Sequence, residues 1–351
     1  MSPRTRMAVV GYGLVGRRHV DVIIRSPKAE LAAIVDTSPS NKAAAMDHGV
    51  PVYADLVEMI NAESPDGVIL ATPTPLHIEQ GLACIGAGCP TLIEKPIAVS
   101  SNEARLLTDA ADKAGVPLLV GHHRRHNGMV QAAKSAIESG IIGDIRAVQA
   151  TCWFFKPDYY FEEAPWRTKK GAGPISVNLV HDVDLLRHFC GEVVSVNAVA
   201  APSRRGFENE DLATAVLVFS SGTIATISVS DSIVAPWSWE LTARENPAYP
   251  ATSESCYLIG GSKGGLSLPD LRVWQHEQQP DWWTPISANN LRCKTDDPLV
   301  MQMEHFVEVI NGRQKPLVTG WEGLKSLEVV EAITRSSQLG REVSISEKRA
   351  A

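Results

Sequence analysis

The 351-residue chain carries 33 basic and 40 acidic side chains for a net charge of −7, with 44% hydrophobic and 21% charged residues. That length predicts two domains with sizeable cores, and the composition excludes disordered, collagen-like and small disulfide-dense proteins. The acidic balance argues against a nucleic acid or an anionic membrane as the main partner and favours a small-molecule ligand.

From residue 7 to about 120, short apolar runs alternate with stretches of helical period. Met7–Val10, Leu31–Val35, Gly67–Ala71, Thr91–Ile93 and Pro117–Val120 read as strands buried on both faces, the pattern of a parallel sheet covered by helices. Between them, Gly16–Arg25, Pro39–His48, Leu56–Asn61, His77–Ala87 and Ser101–Ala114 read as helices. The alternation predicts a doubly wound α/β domain. Beyond about residue 125, longer strands are expected at Ile145–Phe155, Val193–Ala200, Ala213–Phe219, Thr223–Ser230, Ser255–Ile259 and Leu271–Trp274. Several alternate in polarity, as in a sheet with one buried face. Helices at Ser176–Cys190, Pro298–Asn311 and Glu322–Leu339 complete an α+β domain. The expected division is residues 1–122 and 123–351.

Cys84, Cys89, Cys152, Cys190, Cys256 and Cys293 are scattered without a C-x-x-C pair; they read as buried free thiols, and no metal site is expected. The apolar run after Met7 is too short for a signal segment, and no stretch approaches the roughly 18 apolar residues of a membrane span. A soluble cytoplasmic protein is expected.

Gly11-Tyr12-Gly13-Leu14-Val15-Gly16 joins the first strand to the first helix. In such a turn the first glycine permits the tight bend, the second lets backbone approach a pyrophosphate, and the third lets helix and strand pack closely. Asp36 ends the next strand about 20 residues on, where a carboxylate accepts from the ribose hydroxyls of a dinucleotide. Asp36 would repel the extra phosphate of NADP, so NAD is the expected cofactor; Ser38 and Lys42 lie nearby and keep NADP as the alternative.

Two further segments end strands, where open α/β sheets bind ligands: Ala71-Thr72-Pro73-Thr74-Pro75-Leu76-His77 and Ile93-Glu94-Lys95-Pro96. A lysine beside a buried strand end is unusual, because burial disfavours its charge; a solvated surface lysine is the plain alternative. Together with Gly121-x-x-x-Arg125 and Asn178-Leu179-Val180-His181-Asp182-Val183-Asp184, these motifs make the chain resemble the glucose–fructose oxidoreductase, inositol dehydrogenase and MocA family. The resemblance runs to the closing helix and Val343-Ser344-Ile345.

It implies an N-terminal Rossmann domain and a C-terminal domain with a large open, mostly antiparallel sheet. It also implies NAD(P)-dependent oxidation or reduction of a secondary alcohol on a sugar, cyclitol or related polyol, and homodimers or homotetramers formed through that sheet. By resemblance, Lys95 is the acid/base at the reacting hydroxyl, with an amine that must titrate near neutrality. His181 hydrogen-bonds the same oxygen, and a cis peptide precedes Pro96. Thr72, Pro73, Thr74, His77, Glu94, Lys95, Trp166 and Arg167 join the glycine turn and Asp36 as cofactor contacts.

The chain departs from the family at Val177, where inositol-dehydrogenase-like members place an aspartate four residues before the histidine. A Lys95–His181 pair with Asn178 as a positioning group is therefore expected instead of a triad. Asp182 and Asp184 read as structural.

His122, His123, Arg124, Arg125, Lys156, Arg167, Lys169 and Lys170 concentrate positive charge around the expected cleft and suggest an anionic ligand portion; a solvated face is the alternative for the last two. His123, Arg125, Lys156, Tyr160, Arg167 and Asn178 are the expected substrate contacts beside Lys95 and His181. Trp237, Trp239, Trp282 and Trp283 read as core or interface more than as sugar platforms. Beside an NAD-dependent dehydrogenase of a sugar, sugar acid or cyclitol stand two alternatives: a dehydrogenase of a carboxylated cyclic cis-dihydrodiol, and a non-catalytic NAD(P)-binding sensor.

Overall fold

The computed structural model describes residues 4–345, and the chain divides into two units. The first holds a six-stranded parallel sheet of β1 (Thr5–Val10), β2 (Ala29–Val35), β3 (Val52–Tyr53), β4 (Gly67–Leu70), β5 (Thr91–Ile93) and β6 (Leu118–Val120), in the order β3-β2-β1-β4-β5-β6. Its helices are α1 (Leu14–Arg25), α2 (Pro39–Met46), α3 (Leu56–Glu63), α4 (His77–Gly86) and α5 (Ser101–Ala114). All four residues of β4 are buried, as expected where helices cover both faces of a sheet. Helix α5 starts where the Ser100 side chain accepts from Glu103 N–H and stops at Gly115 in the left-handed region, a matched pair of caps. The strand order reverses between β1 and β4, so the carboxyl ends of these strands frame the crevice in which such sheets bind ligands.

The second unit is built on nine strands in the order β14-β13-β12-β11-β7-β10-β9-β8-β15. In chain order, α6 (Gly128–Glu138), β7 (Ile145–Trp153), α7 (Asp158–Glu162), α8 (Pro174–Val177) and α9 (Leu179–Cys190) come first. Strands β8 (Val193–Pro202), β9 (Glu210–Phe219) and β10 (Ile224–Ser230) follow, then α10 (Trp239–Thr242) and strands β11 (Tyr257–Gly261), β12 (Gly265–Leu268), β13 (Arg272–His276) and β14 (Ile286–Asn290). The chain closes with α11 (Pro298–Ile310), α12 (Gly320–Leu339) and β15 (Val343–Ser344). Every neighbouring pair in the sheet is antiparallel except β10 with β7. Along β10, exposed Ile224 and Thr226 alternate with buried Ala225 and Ile227, the two-residue period that gives a sheet one core face.

The chain does not divide at one point. Residues Asp296–Leu327 belong to the first unit with Met1–His126, and Glu328 onward returns to the second. The expected single cut near residue 123 is corrected accordingly: Leu299, Met303 and Phe306 of α11 bury their side chains with Met7, Val9 and Ile69, a long-range packing that chain-local patterns do not carry. The helix expected over Ser176–Cys190 is broken at Asn178, which ends α8 and starts α9. Among the described residues no helix is long and apolar enough to cross a membrane, and no cluster of His, Cys, Asp and Glu could hold a metal ion.

Candidate active site

The glycine turn shows three uses of a missing side chain. A Cβ on Gly16 would lie 1.8 Å from the Gly11 carbonyl oxygen, and one on Gly11, at φ +90, would lie 2.7 Å from that of Ala71. These two glycines close the turn against β4. A Cβ on Gly13 would meet nothing within 4 Å, so this peptide borders open space at the start of α1. No side chain caps α1 and no acidic residue stands in its first turn, which leaves its N–H groups and dipole available to an anion. Leu14 is 83% exposed beside them. These features fit a dinucleotide pyrophosphate.

Asp36 stands at the carboxyl end of β2, and Oδ2 accepts from Tyr12 N–H at 2.6 Å and from the Asn41 amide at 3.1 Å, while Oδ1 accepts from Ser38 N–H at 2.7 Å. Arg17 lies over the Tyr12 ring and donates to Asn41, and Tyr12 Oη lies 2.5 Å from His48 Nε2. The carboxylate is thereby fixed beside the glycine turn. Asp36→Ala is expected to weaken NAD about tenfold or more, the worth of hydrogen bonds to a charged group, and to narrow the preference over NADP. Dissociation constants for the two dinucleotides check this, and an unchanged preference would remove the ribose contact.

Glu94 and Lys95 follow β5. The Lys95–Pro96 peptide is cis, as the resemblance implies. His77 is buried, and its Nδ1 and Nε2 face the carbonyls of Pro96 and Thr72 at 3.0 and 2.9 Å. Burial holds its pKa below the usual histidine value against those two hydrogen bonds. The His77 ring thus lies between the Thr72 and Pro96 loops. The Thr72 hydroxyl donates to Gln80 at 2.6 Å, and Thr74 opens a short helical turn with Pro75 and Leu76.

Arg124 and Arg125 are each 4% exposed, and Arg125 Nη2 pairs with Glu322 at 2.7 Å. That ion pair lies within the first unit. His123 lies close enough to Glu94 to help hold that carboxylate ionised.

In the second unit, Lys156 is buried after β7, and its ammonium donates to Asn178 Oδ1 at 2.7 Å and lies 3.9 Å from Asp231 Oδ2. Asp231 in turn accepts from Arg205 Nη1 at 3.1 Å, and Arg205 also donates to the Lys156 carbonyl. Burial pushes the Lys156 ammonium down and the Asp231 carboxyl up, each shift opposed by the partner's charge. Lys156 lies 5.1 Å and the Arg167 guanidinium 3.9 Å from the centre of the Tyr160 ring, with Arg167 Nη1 donating to the Tyr160 carbonyl at 2.6 Å. Asn178 therefore links Lys156 to the start of α9, one turn before His181, which is 8% exposed. The next residue, Asp182, accepts a hydrogen bond from Tyr257 Oη, and Asp182 and Asp184 are each 1% exposed, placing both carboxylates in the fold's interior. Trp166 is 59% exposed and Lys169 pairs with Glu208 on the surface. Trp239 is buried against Tyr257, whereas Trp282 and Trp283 are 97% and 90% exposed, which corrects the core reading for that pair.

Comparison with known proteins bears on both units. Residues 5–122 match the model of an oxidoreductase family with an NAD-binding Rossmann fold, and residues 130–267 match that of the GFO/IDH/MocA C-terminal domain. An inositol 2-dehydrogenase of Rhodococcus erythropolis is 31% identical over 97% of this chain and 95% of its own. The chain belongs to the GFO/IDH/MocA oxidoreductase family. Within it, a D-apiose dehydrogenase of Paraburkholderia graminis is 25% identical over 97% of this chain and 90% of its own. The crystal structure of the WlbA dehydrogenase from Bordetella pertussis with NADH and UDP-GlcNAcA superimposes with a TM-score of 0.81 at 27% identity, covering 98% and 99% of the two chains. The first unit thus carries the NAD-binding Rossmann fold of this oxidoreductase family.

His19 in the first unit, and Arg205 and Asp231 in the second, are polar groups that sequence reasoning missed. His19 had a signal, as a histidine on the otherwise apolar face of α1 formed by Gly16, Val20 and Ile23. Arg205 and Asp231 lie in loops with no pattern to single them out.

Proposed function

We propose that the protein oxidises a secondary alcohol of a sugar, sugar acid or cyclitol with NAD. A nicotinamide held by the glycine turn and Asp36 would supply the hydride acceptor for the carbinol carbon. The Lys95 amine takes the hydroxyl proton, leaving a ketone and a lysine ammonium, and returns it in the reverse direction. His181 donates a hydrogen bond to the same oxygen, and Lys156 holds Asn178 as a positioning group in place of the absent aspartate at Val177. The observation that carries this reading is the placement of Lys95, directly after Glu94 at the carboxyl end of β5, in the sheet whose glycine turn fits a dinucleotide.

Buried Lys156 and half-buried Arg205 share Asp231, and Arg205 also lies 3.7 Å from Asp158; a carboxylated cyclic dihydrodiol stays the second reading of the substrate. The outer face of the nine-stranded sheet exposes Val199, Val216, Ile224, Leu258 and Ile286, and supports homo-oligomer formation there; a monomer in sedimentation would contradict it. Reduction of NAD by a panel of polyols, sugar acids and dihydrodiols tests the catalytic reading, and cofactor binding without reduction by any of them assigns the chain to the sensor class.

A further inference from the structure

The carboxylate of Glu94, the residue before Lys95, is fixed at both oxygens. Oε1 lies 2.8 Å from His19 Nε2, and Oε2 accepts from the Lys95 main-chain N–H at 3.3 Å. Gly121, on the neighbouring strand end, makes the room: a Cβ there would sit 2.9 Å from the carboxyl carbon and 3.0 Å from each oxygen. His19 is 1% exposed on the inner face of α1, and its Nδ1 has no hydrogen-bond partner among the described residues. The other titratable groups near this carboxylate are Lys95 on its own loop, His123 after β6 and His77 at the start of α4. Burial disfavours the charge on Glu94, yet the His19 hydrogen bond and the neighbouring His19, His123 and Lys95 charges outweigh it and hold the pKa at about 2.

We propose that His19 and Glu94 form a buried pair that positions Lys95 and sets the proton affinity of its amine. The inference rests on reading Lys95 as the acid/base group. A carboxylate beside an amine favours the ammonium over the free amine, and it does so steadily only if it stays ionised and aimed. The hydrogen bond from His19 and the gap at Gly121 secure both conditions. The pair therefore stabilises the ammonium that Lys95 becomes on taking the hydroxyl proton, and moves the midpoint of its amine to higher pH.

The test uses the full chain without cofactor. Wild type, Glu94→Gln and His19→Gln are exposed to acetic anhydride across a pH series, and acetylation of Lys95 is followed by mass spectrometry of its peptide. Glu94→Gln keeps the shape and a hydrogen bond to His19 while removing the charge. Its labelling midpoint is expected to fall by about one pH unit, a roughly tenfold faster reaction at a fixed pH below the midpoint, and that of His19→Gln is expected to fall by less. An unmoved midpoint in a folded Glu94→Gln overturns the proposal; if that variant does not fold, an unmoved midpoint in His19→Gln does so. Turnover of Lys95→Ala separates this inference from the reading beneath it. Lost turnover with unmoved labelling removes the pair's role alone, whereas retained turnover removes the acid/base assignment and the proposal with it.

Discussion

Lys95→Ala is expected to lower kcat by about 10²- to 10⁴-fold, the usual contribution of a positioned acid or base, with a much smaller change in NAD affinity. The direction follows from the separation of tasks within the first unit. The glycine turn and Asp36 hold the features that fit a dinucleotide, on β1 and β2, while Lys95 stands after β5 on a loop whose main chain is fixed by Glu94 Oε2 and whose Pro96 carbonyl faces His77. Removing the amine leaves those contacts in place and removes only the group that takes the hydroxyl proton. Both kcat and kcat/KM should fall together, as for an interaction made chiefly in the transition state. Steady-state kinetics check this, and near-normal turnover would sink the assignment.

Substitutions in the glycine turn are expected to separate packing from binding. Gly16→Ala puts a Cβ 1.8 Å from the Gly11 carbonyl oxygen, so the turn must open; the unfolding midpoint should fall and NAD binding should be largely lost. Gly13→Ala meets no atom within 4 Å, and the φ of −75 at Gly13 suits an L residue, so stability should hold. Its methyl group instead occupies the space through which a pyrophosphate approaches the backbone, and NAD affinity should drop about 10- to 100-fold, or about 1.4 to 2.8 kcal/mol. Thermal unfolding and NAD titration of both variants supply the check. Unchanged NAD affinity in Gly13→Ala would mean that the turn serves packing alone.

What was legible in the sequence is what the chain encodes locally. The strands of the first unit are continuous apolar runs, and Thr91–Ile93 and Ser101–Ala114 form over the expected residues. Strand β3 escaped notice because two residues, Val52 and Tyr53, make no period. Strands β12 and β14 were hidden by glycine, serine and asparagine, residues that read as turns. The glycine turn and Asp36 were readable because their spacing is itself the signal. Contacts between distant residues were not: His19 meets Glu94 75 residues away, and Arg125 meets Glu322 197 residues away. Both contacts lie within the first unit, and no local pattern brings their partners together.

The central claim is that this chain carries a hydride from a secondary alcohol to NAD, and the most direct measurement follows the nicotinamide itself. The wild-type protein is mixed with NAD and, in turn, with polyols, sugar acids, cyclitols and cyclic dihydrodiols, and the absorbance of reduced nicotinamide is recorded. At least one donor class should give reduction that saturates with donor and requires the protein. Tight NAD binding with no reduction across the whole panel would contradict the claim and leave the protein a dinucleotide sensor.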